Sequence, residues 1–247
     1  LEGHLKRIIL GFFCLFLFLL IDYKNLKRIA PYFLTISIAL LIMTKGYYLI
    51  RGINSPARWL HISVFSIQTS DVARLSLIIF LAYYLDEIKM RIKNLYKGFL
   101  PCIIAIGTIM SFIVIQPDFS TAFMIGTIGL VIIFVAGAKM LHIFISILTG
   151  ILISIPIIYL KPYRWARIVS FFDKSDIQTN GYQAHQALLS LGNGGLFGVG
   201  LGNSTEKNHI LPTPHTDFIF SIIGEELGLL RGTLPLLIIF FLIFYRG

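Results

Sequence analysis

Charge is what this sequence has least of. Asp, Glu, Lys and Arg make up 13% of its 247 residues, about half the share of an ordinary soluble domain. Apolar residues reach 56% and gather in long runs, which excludes soluble globular and disordered chains. Cysteine is nearly absent. Cys14 and Cys102 both lie inside apolar runs, so no disulfide framework is indicated and the small secreted class is out. Acids are outnumbered, 12 against 21 Lys and Arg. That excess does not imply a nucleic-acid partner, because much of it sits in short loops between apolar runs, where membrane topology puts basic residues. Also missing are a Gly-Lys-Ser/Thr phosphate loop, a His-x-x-x-His zinc pair and a Ser-His-Asp arrangement for hydrolysis.

What is there reads as an all-α polytopic membrane protein. A spanning helix needs about 20 mostly apolar residues, and seven windows fit: 5–21, 30–49, 72–86, 99–117, 119–137, 141–160 and 217–244. Lys6 and Arg7 precede the first, but no small-residue cleavage site follows, so it is a helix and not a signal peptide. The loops 22–29, 86–98 and 137–141 hold Lys24, Lys27, Arg28, Lys89, Arg91, Lys93, Lys97 and Lys139, which places them on the cytoplasmic side. The loop 50–71, the 117–119 turn and the long segment 161–216 then face outward. Trp59 reads as an interfacial anchor.

Segment 161–216 is long for a connection without its own fold, which points to function. Ala184, Ala187, Leu188 and Leu191, with Gln183, Gln186 and Ser190 between them, form a short amphipathic helix suited to the membrane surface. Residues 192–202 follow, with six glycines in eleven positions. Such a stretch either offers backbone N–H groups to a phosphate or lets backbones approach closely. Both readings stand at this point.

Ionisable residues inside spans cost roughly 2.5–3.5 kcal/mol on insertion scales and are functional candidates by default. Asp71 and Arg74 open the third span three residues apart and pair on one helix face, behind a Thr69/Ser70 cap. Asp118, in Gln116-Pro117-Asp118, either caps the next helix or meets a polar ligand. The last span opens His215-Thr216-Asp217 and continues to Glu225 and Glu226. Asp217, Ser221 and Glu225 are spaced to share one helix face, which must then line a polar cavity. Asp217 is either a helix cap or a chemical group; Thr216 could cap equally well.

Several of these motifs in the same order resemble the SEDS family (shape, elongation, division and sporulation). They are Arg58-Trp59, Gln68 to Arg74, Gln116-Pro117-Asp118, Gly181-Tyr182-Gln183, Gly192 to Gly202, Lys207, Leu211-Pro212, His215 to Phe220 and Glu225 to Gly228. The stretch Phe134 to Ala138 and the wording around Asp217 look closer to the FtsW/SpoVE branch than to RodA. Departures are Thr69-Ser70-Asp71 with Arg74 for the usual Pro-Ser-Glu with Lys, Ser120 for Gly, Asn193 for Ser, Thr213 for an acid, and Arg231 inside the closing glycine pattern.

The resemblance implies a roughly ten-helix fold of which about seven helices are present, so residues 1–247 form one incomplete SEDS-type domain with 161–216 as its large extracytoplasmic loop. It implies a multi-pass protein of the bacterial cytoplasmic (inner) membrane, its site facing outward. The activity implied is inverting polymerisation of lipid II by a peptidoglycan glycosyltransferase, in division or else elongation or sporulation. The partner implied is a class B penicillin-binding protein with transpeptidase activity. Asp217 is the catalytic residue by this correspondence. The substrate-binding set is Arg58, Arg74, Asp118, Gln183, Gly194, Gly195, Lys207, His215, Thr216 and Glu225. The departing pyrophosphate needs cationic help, from these basic residues, from glycine-loop N–H groups, or from a divalent cation such as Mg or Mn. Two other readings fit the bare residues: a lipid II flippase, and a non-catalytic scaffold for a transpeptidase.

Overall fold

The computed structural model describes residues 2–20, 22–51, 59–62, 65–162, 164–166, 169, 182–204 and 218–246. The chain divides into two compact units, Leu1–Gly150 and Ile151–Gly247.

The first unit contains α1 (Glu2–Leu20), α2 (Leu26–Ile50), a hairpin of β1 (Trp59–Ile62) and β2 (Phe65–Gln68), α3 (Thr69–Ile88), α4 (Leu100–Ile115), α5 (Phe119–Val135) and the start of α6 (Met140–Tyr159). Three stretches are long and apolar enough to cross a membrane by length and composition: Leu26–Ile50, Leu95–Ile115 and Met140–Tyr159. The chain is thus a polytopic helical membrane protein. Helices stand at every window read from the sequence, with one correction to the last, given below.

The core of this unit is the α2–α3 seam. Ala30, Leu34, Ser37, Leu41 and Thr44 recur every three or four residues on α2 and are all buried; Ala73, Ser76, Leu77 and Leu81 answer from α3. Small residues on a contact stripe let two helix backbones approach closely, which is how helices associate where lipid removes the hydrophobic drive. Ser37 Oγ lies 2.7 Å from Ser76 Oγ. Each hydroxyl also faces a carbonyl of its own helix, Leu34 at 2.8 Å and Ala73 at 2.9 Å. Each oxygen carries one proton, so one serine bridges the helices while the other turns back. A double-mutant cycle on Ser37→Ala and Ser76→Ala should give a coupling of about 0.6 kcal/mol in reversible SDS unfolding.

Two polar contacts hold the ends of this unit. Gln116, 1% exposed, donates from Nε2 to the Leu41 carbonyl at 2.9 Å and ties the end of α4 to α2. At the opposite end Lys27 Nζ meets Asp86 at 2.8 Å. There the connection from α3 to α4 is a compact double turn, Lys89–Lys93 and Leu95–Phe99. Ile92 and Phe99 anchor it in the core, and Asn94 Oδ1 accepts from the Tyr96 N–H at 3.1 Å.

The hairpin replaces part of what reads as a loop at 50–71. Its strands pair antiparallel from Trp59↔Gln68 to Ile62↔Phe65, and Tyr48 Oη donates to the Trp59 carbonyl at 3.1 Å. Ser63-Val64 between the strands lacks the Asn-Gly or Asp-Gly signature of a tight turn.

The second unit contains the rest of α6, then α7 (Tyr182–Gly194), α8 (Ile219–Gly228), a turn at Leu229–Thr233 and α9 (Leu234–Arg246). The predicted single helix over 217–244 is therefore two. The break is at Gly228, with φ 75° and ψ −177°, a conformation essentially confined to glycine. The chain resumes as a wide π-type turn.

Candidate active site

The acidic helix α8 reads Ile-Phe-Ser-Ile-Ile-Gly-Glu-Glu-Leu-Gly. Ten residues rise about 15 Å, half the hydrocarbon thickness of a bilayer. Ser221 and Glu225 lie one turn apart and both are buried, Glu225 completely, at 0% exposure. A buried carboxyl group is tolerated only when hydrogen-bonded. Ser190 of α7 donates to Glu225 Oε2 at 3.0 Å, and Ser204, just past the glycine stretch, donates to the same oxygen. Ser190 Oγ also lies 3.1 Å from the Ser221 carbonyl. One carboxyl oxygen thus joins α7, α8 and the end of the glycine stretch.

The glycines make this possible by taking no space. A Cβ on Gly194 would land on the Gly224 carbonyl and the Glu225 Cα, and one on Gly198 on the Glu226 carbonyl. Backbone bonds then knit the stretch to α8 and the turn beyond it. Val199 N donates to the Glu225 carbonyl at 2.9 Å, Gly200 N to Glu226 at 3.0 Å, Leu229 N to Gly195 at 3.0 Å and Leu230 N to Leu196 at 3.1 Å. The N–H groups of Gly195 and Gly198 go to the Gly192 and Gly194 carbonyls. Of the two readings of this stretch, the geometry matches close packing: the N–H groups of Gly195, Gly198, Val199 and Gly200 already face carbonyls.

Placement of the remaining candidates is uneven. Gly194 and Glu225 are brought together. Gln183 lies in the first turn of α7, and Gly195 opens the turn after it. In the other unit, Arg74 forms an i,i+3 ion pair with Asp71 at 3.0 Å, as its spacing suggests. Asp118, 5% exposed, accepts from the Thr121 N–H at 3.4 Å and caps α5. Arg58, Lys207, His215, Thr216 and Asp217 lie outside the described residues.

On α7 Leu188 is exposed, as an apolar side chain facing a membrane surface would be, while Ser190 is fully buried. The Glu225 carboxyl draws the hydroxyl inward. Ser190 and Ser204 are the site residues that sequence reasoning passed over. The available signal was the acid itself, since a carboxyl inside an apolar helix demands hydroxyl or N–H donors nearby.

Among the described residues no three His, Cys, Asp or Glu side chains gather to hold a metal ion. The oxygen of Glu225 that is engaged receives protons from two hydroxyls, a donor set unsuited to a divalent cation.

These features define a class: a multi-span helical membrane protein with a fully buried acid on a half-length helix, clamped by a glycine-rich segment. The chain belongs to the FTSW_RODA_SPOVE family of cell cycle proteins, whose model matches residues 3–247. It is 36% identical over 98% of its length to a protein of Wigglesworthia glossinidia brevipalpis named probable peptidoglycan glycosyltransferase FtsW. To the stage V sporulation protein E of Bacillus subtilis strain 168 it is 36% identical over 96% of its length. The chain spans 64% and 65% of those two relatives. A solved structure described as structural coordination of polymerization and crosslinking by a peptidoglycan synthase complex shares the fold, with TM-score 0.73 at 21% identity over 97% of this chain and 66% of that one.

Proposed function

We propose that the full-length protein is a peptidoglycan glycosyltransferase that polymerises lipid II at the outer face of the bacterial cytoplasmic membrane, in cell division. The observation that carries this reading is the 36% identity over 98% of the chain to a relative named for that activity. The position of the His215-Thr216-Asp217 segment in sequence, directly before the acidic helix, supports it.

In the proposed reaction a sugar 4-hydroxyl attacks the anomeric carbon of a polyprenyl-pyrophosphate-linked glycan. The new C–O bond forms as the bond to pyrophosphate breaks, with inversion, and the hydroxyl proton passes to the Asp217 carboxylate. The pyrophosphate leaves with both electrons of the broken bond and needs positive charge beside it. Arg58, Arg74 and Lys207 are the proposed source. Basic side chains suit this task better than the glycine stretch, whose N–H groups at 195 and 198–200 already face carbonyls. Gln183, His215 and Thr216 complete the proposed substrate contacts. Because a solved protein of this fold belongs to a complex described as coordinating polymerization and crosslinking, the proposed partner is a class B penicillin-binding protein.

The test is lipid II polymerisation by the full-length protein purified with its partner transpeptidase, with glycan products resolved on a gel. Polymer from the parent and none from Asp217→Asn is the expected result. No polymer from a properly folded parent would overturn the assignment and turn attention to lipid II flipping in liposomes.

A further inference from the structure

The connection from α3 to α4 carries four cations in nine positions, Lys89, Arg91, Lys93 and Lys97, and all four are exposed. Among the described residues none of them forms an ion pair. The two acids just before them, Asp86 and Glu87, are engaged by Lys27 at 2.8 and 3.9 Å. Four unpaired positive charges therefore share one short surface.

That surface is built, not loose. Ile92 and Phe99 are buried in the core, and a Cβ on Gly98 would land on the Arg91 carbonyl. The N–H groups of Gly98 and Phe99 both donate to the Asn94 carbonyl at 3.1 Å. Tyr84 Oη donates to the Lys97 carbonyl at 3.3 Å. A segment pinned at these points holds its cations together before any ligand arrives, which lowers the ordering cost of binding. The backbone of Lys89 gives a second sign. Its φ is 44°, a region that glycine enters freely and lysine does not. Strain of this kind gathers at functional positions.

Depth selects the ligand. Leu95–Ile115 is one apolar stretch long enough to cross a membrane. Lys97 stands in its first turn and Lys93 two residues before it. Tyr96, between them, is 75% exposed, and Leu95 and Leu100 are exposed as well. Cations set among exposed apolar and aromatic side chains at the end of a span lie at headgroup level. A soluble acidic partner would match the charges alone; a phospholipid matches both halves of the surface.

We propose that this connector is a binding site for an anionic phospholipid. The phosphate sits among Lys89, Arg91, Lys93 and Lys97, and the acyl chains run along Leu95, Tyr96 and Leu100. The proposal does not depend on the polymerase reading, since no residue of the proposed catalytic or substrate-binding set takes part.

The test uses the full-length protein in bilayers of phosphatidylcholine mixed with phosphatidylglycerol, one lipid brominated at a time. Tyr96→Trp supplies a reporter whose fluorescence bromine quenches, and the signal of the protein without that substitution is subtracted. Phosphatidylglycerol should be preferred at the reporter by at least about ten-fold at low salt, less at high salt. Adding Arg91→Gln, Lys93→Gln or Lys97→Gln should lower the preference by about two- to five-fold each. Lys89→Gly should lower it similarly while raising the melting temperature by a few degrees, because the strain is relieved. Arg51→Gln is the control: it removes the same charge at the far end of α2, about 36 Å from Lys27, and should leave the preference within about two-fold.

Equal quenching by the two brominated lipids would overturn the proposal and leave a soluble acidic partner as the use of the patch. A loss as large in Arg51→Gln as in the connector variants would also overturn it, because net charge and not a site would then attract the lipid.

Discussion

Gly198→Ala is expected to destabilise the pairing of α7 with α8 by about 2–5 kcal/mol, combining a left-handed backbone cost of roughly 1–2 kcal/mol with overpacking of about 1–3 kcal/mol. Gly198 has φ +82°, and the atoms a Cβ would strike are backbone atoms of Glu226 and Leu227, which cannot swing aside as a side chain would. The neighbouring bonds from Val199 and Gly200 to the carbonyls of Glu225 and Glu226 depend on the same close approach. Two other glycines grade the effect. Gly202 has φ +81° but open space where a Cβ would go, so Gly202→Ala should cost only the backbone term, roughly 1–2 kcal/mol. Gly192 has neither constraint, and Gly192→Ala should stay within about 0.5 kcal/mol. Thermal unfolding of the three variants in one detergent should rank them 198, 202, 192. Equal losses would refute close packing as the reason for the glycines. Loss of activity with unchanged melting at Gly198 would restore the phosphate-cradle reading.

The helices were legible because membrane spans announce themselves by length and composition. The window 30–49 lies inside the helix Leu26–Ile50, and 119–137 nearly matches Phe119–Val135. The Asp71–Arg74 pair followed from spacing, and the structure selects the cap from the two readings open for Asp118. What was not legible depends on contacts between distant segments. Nothing in the apolar run 217–244 marks Gly228 as a break, because the conformation there is set by the glycine stretch some thirty residues earlier: a Cβ at 228 would meet Gly198 N and Phe197 C. The burial of Ser190 was not legible for the same reason, since only a distant partner, Glu225, draws that hydroxyl inward. The hairpin at 59–68 escaped because four-residue strands with Ser63-Val64 between them carry no turn signature.

Asp217→Asn is expected to remove polymerisation by a factor of roughly 10²–10⁴ in kcat, the range contributed by a positioned general base. Asparagine keeps the size and one acceptor oxygen of aspartate but takes up no proton. The competing explanation for an acid at this position is a helix cap, and it predicts the opposite result, because Asn caps as well as Asp. The Asn variant should insert in the membrane, melt within about a degree or two of the parent, since Asn matches Asp in size and in capping ability, and still bind its partner transpeptidase. Polymer synthesis should be absent from the gel at the parent's assay times. Asp217→Ala would be a weaker test, since it changes volume as well as chemistry. Synthesis in the Asn variant within ten-fold of the parent would take Asp217 out of the reaction and leave the buried acid of α8 to be explained by structure alone.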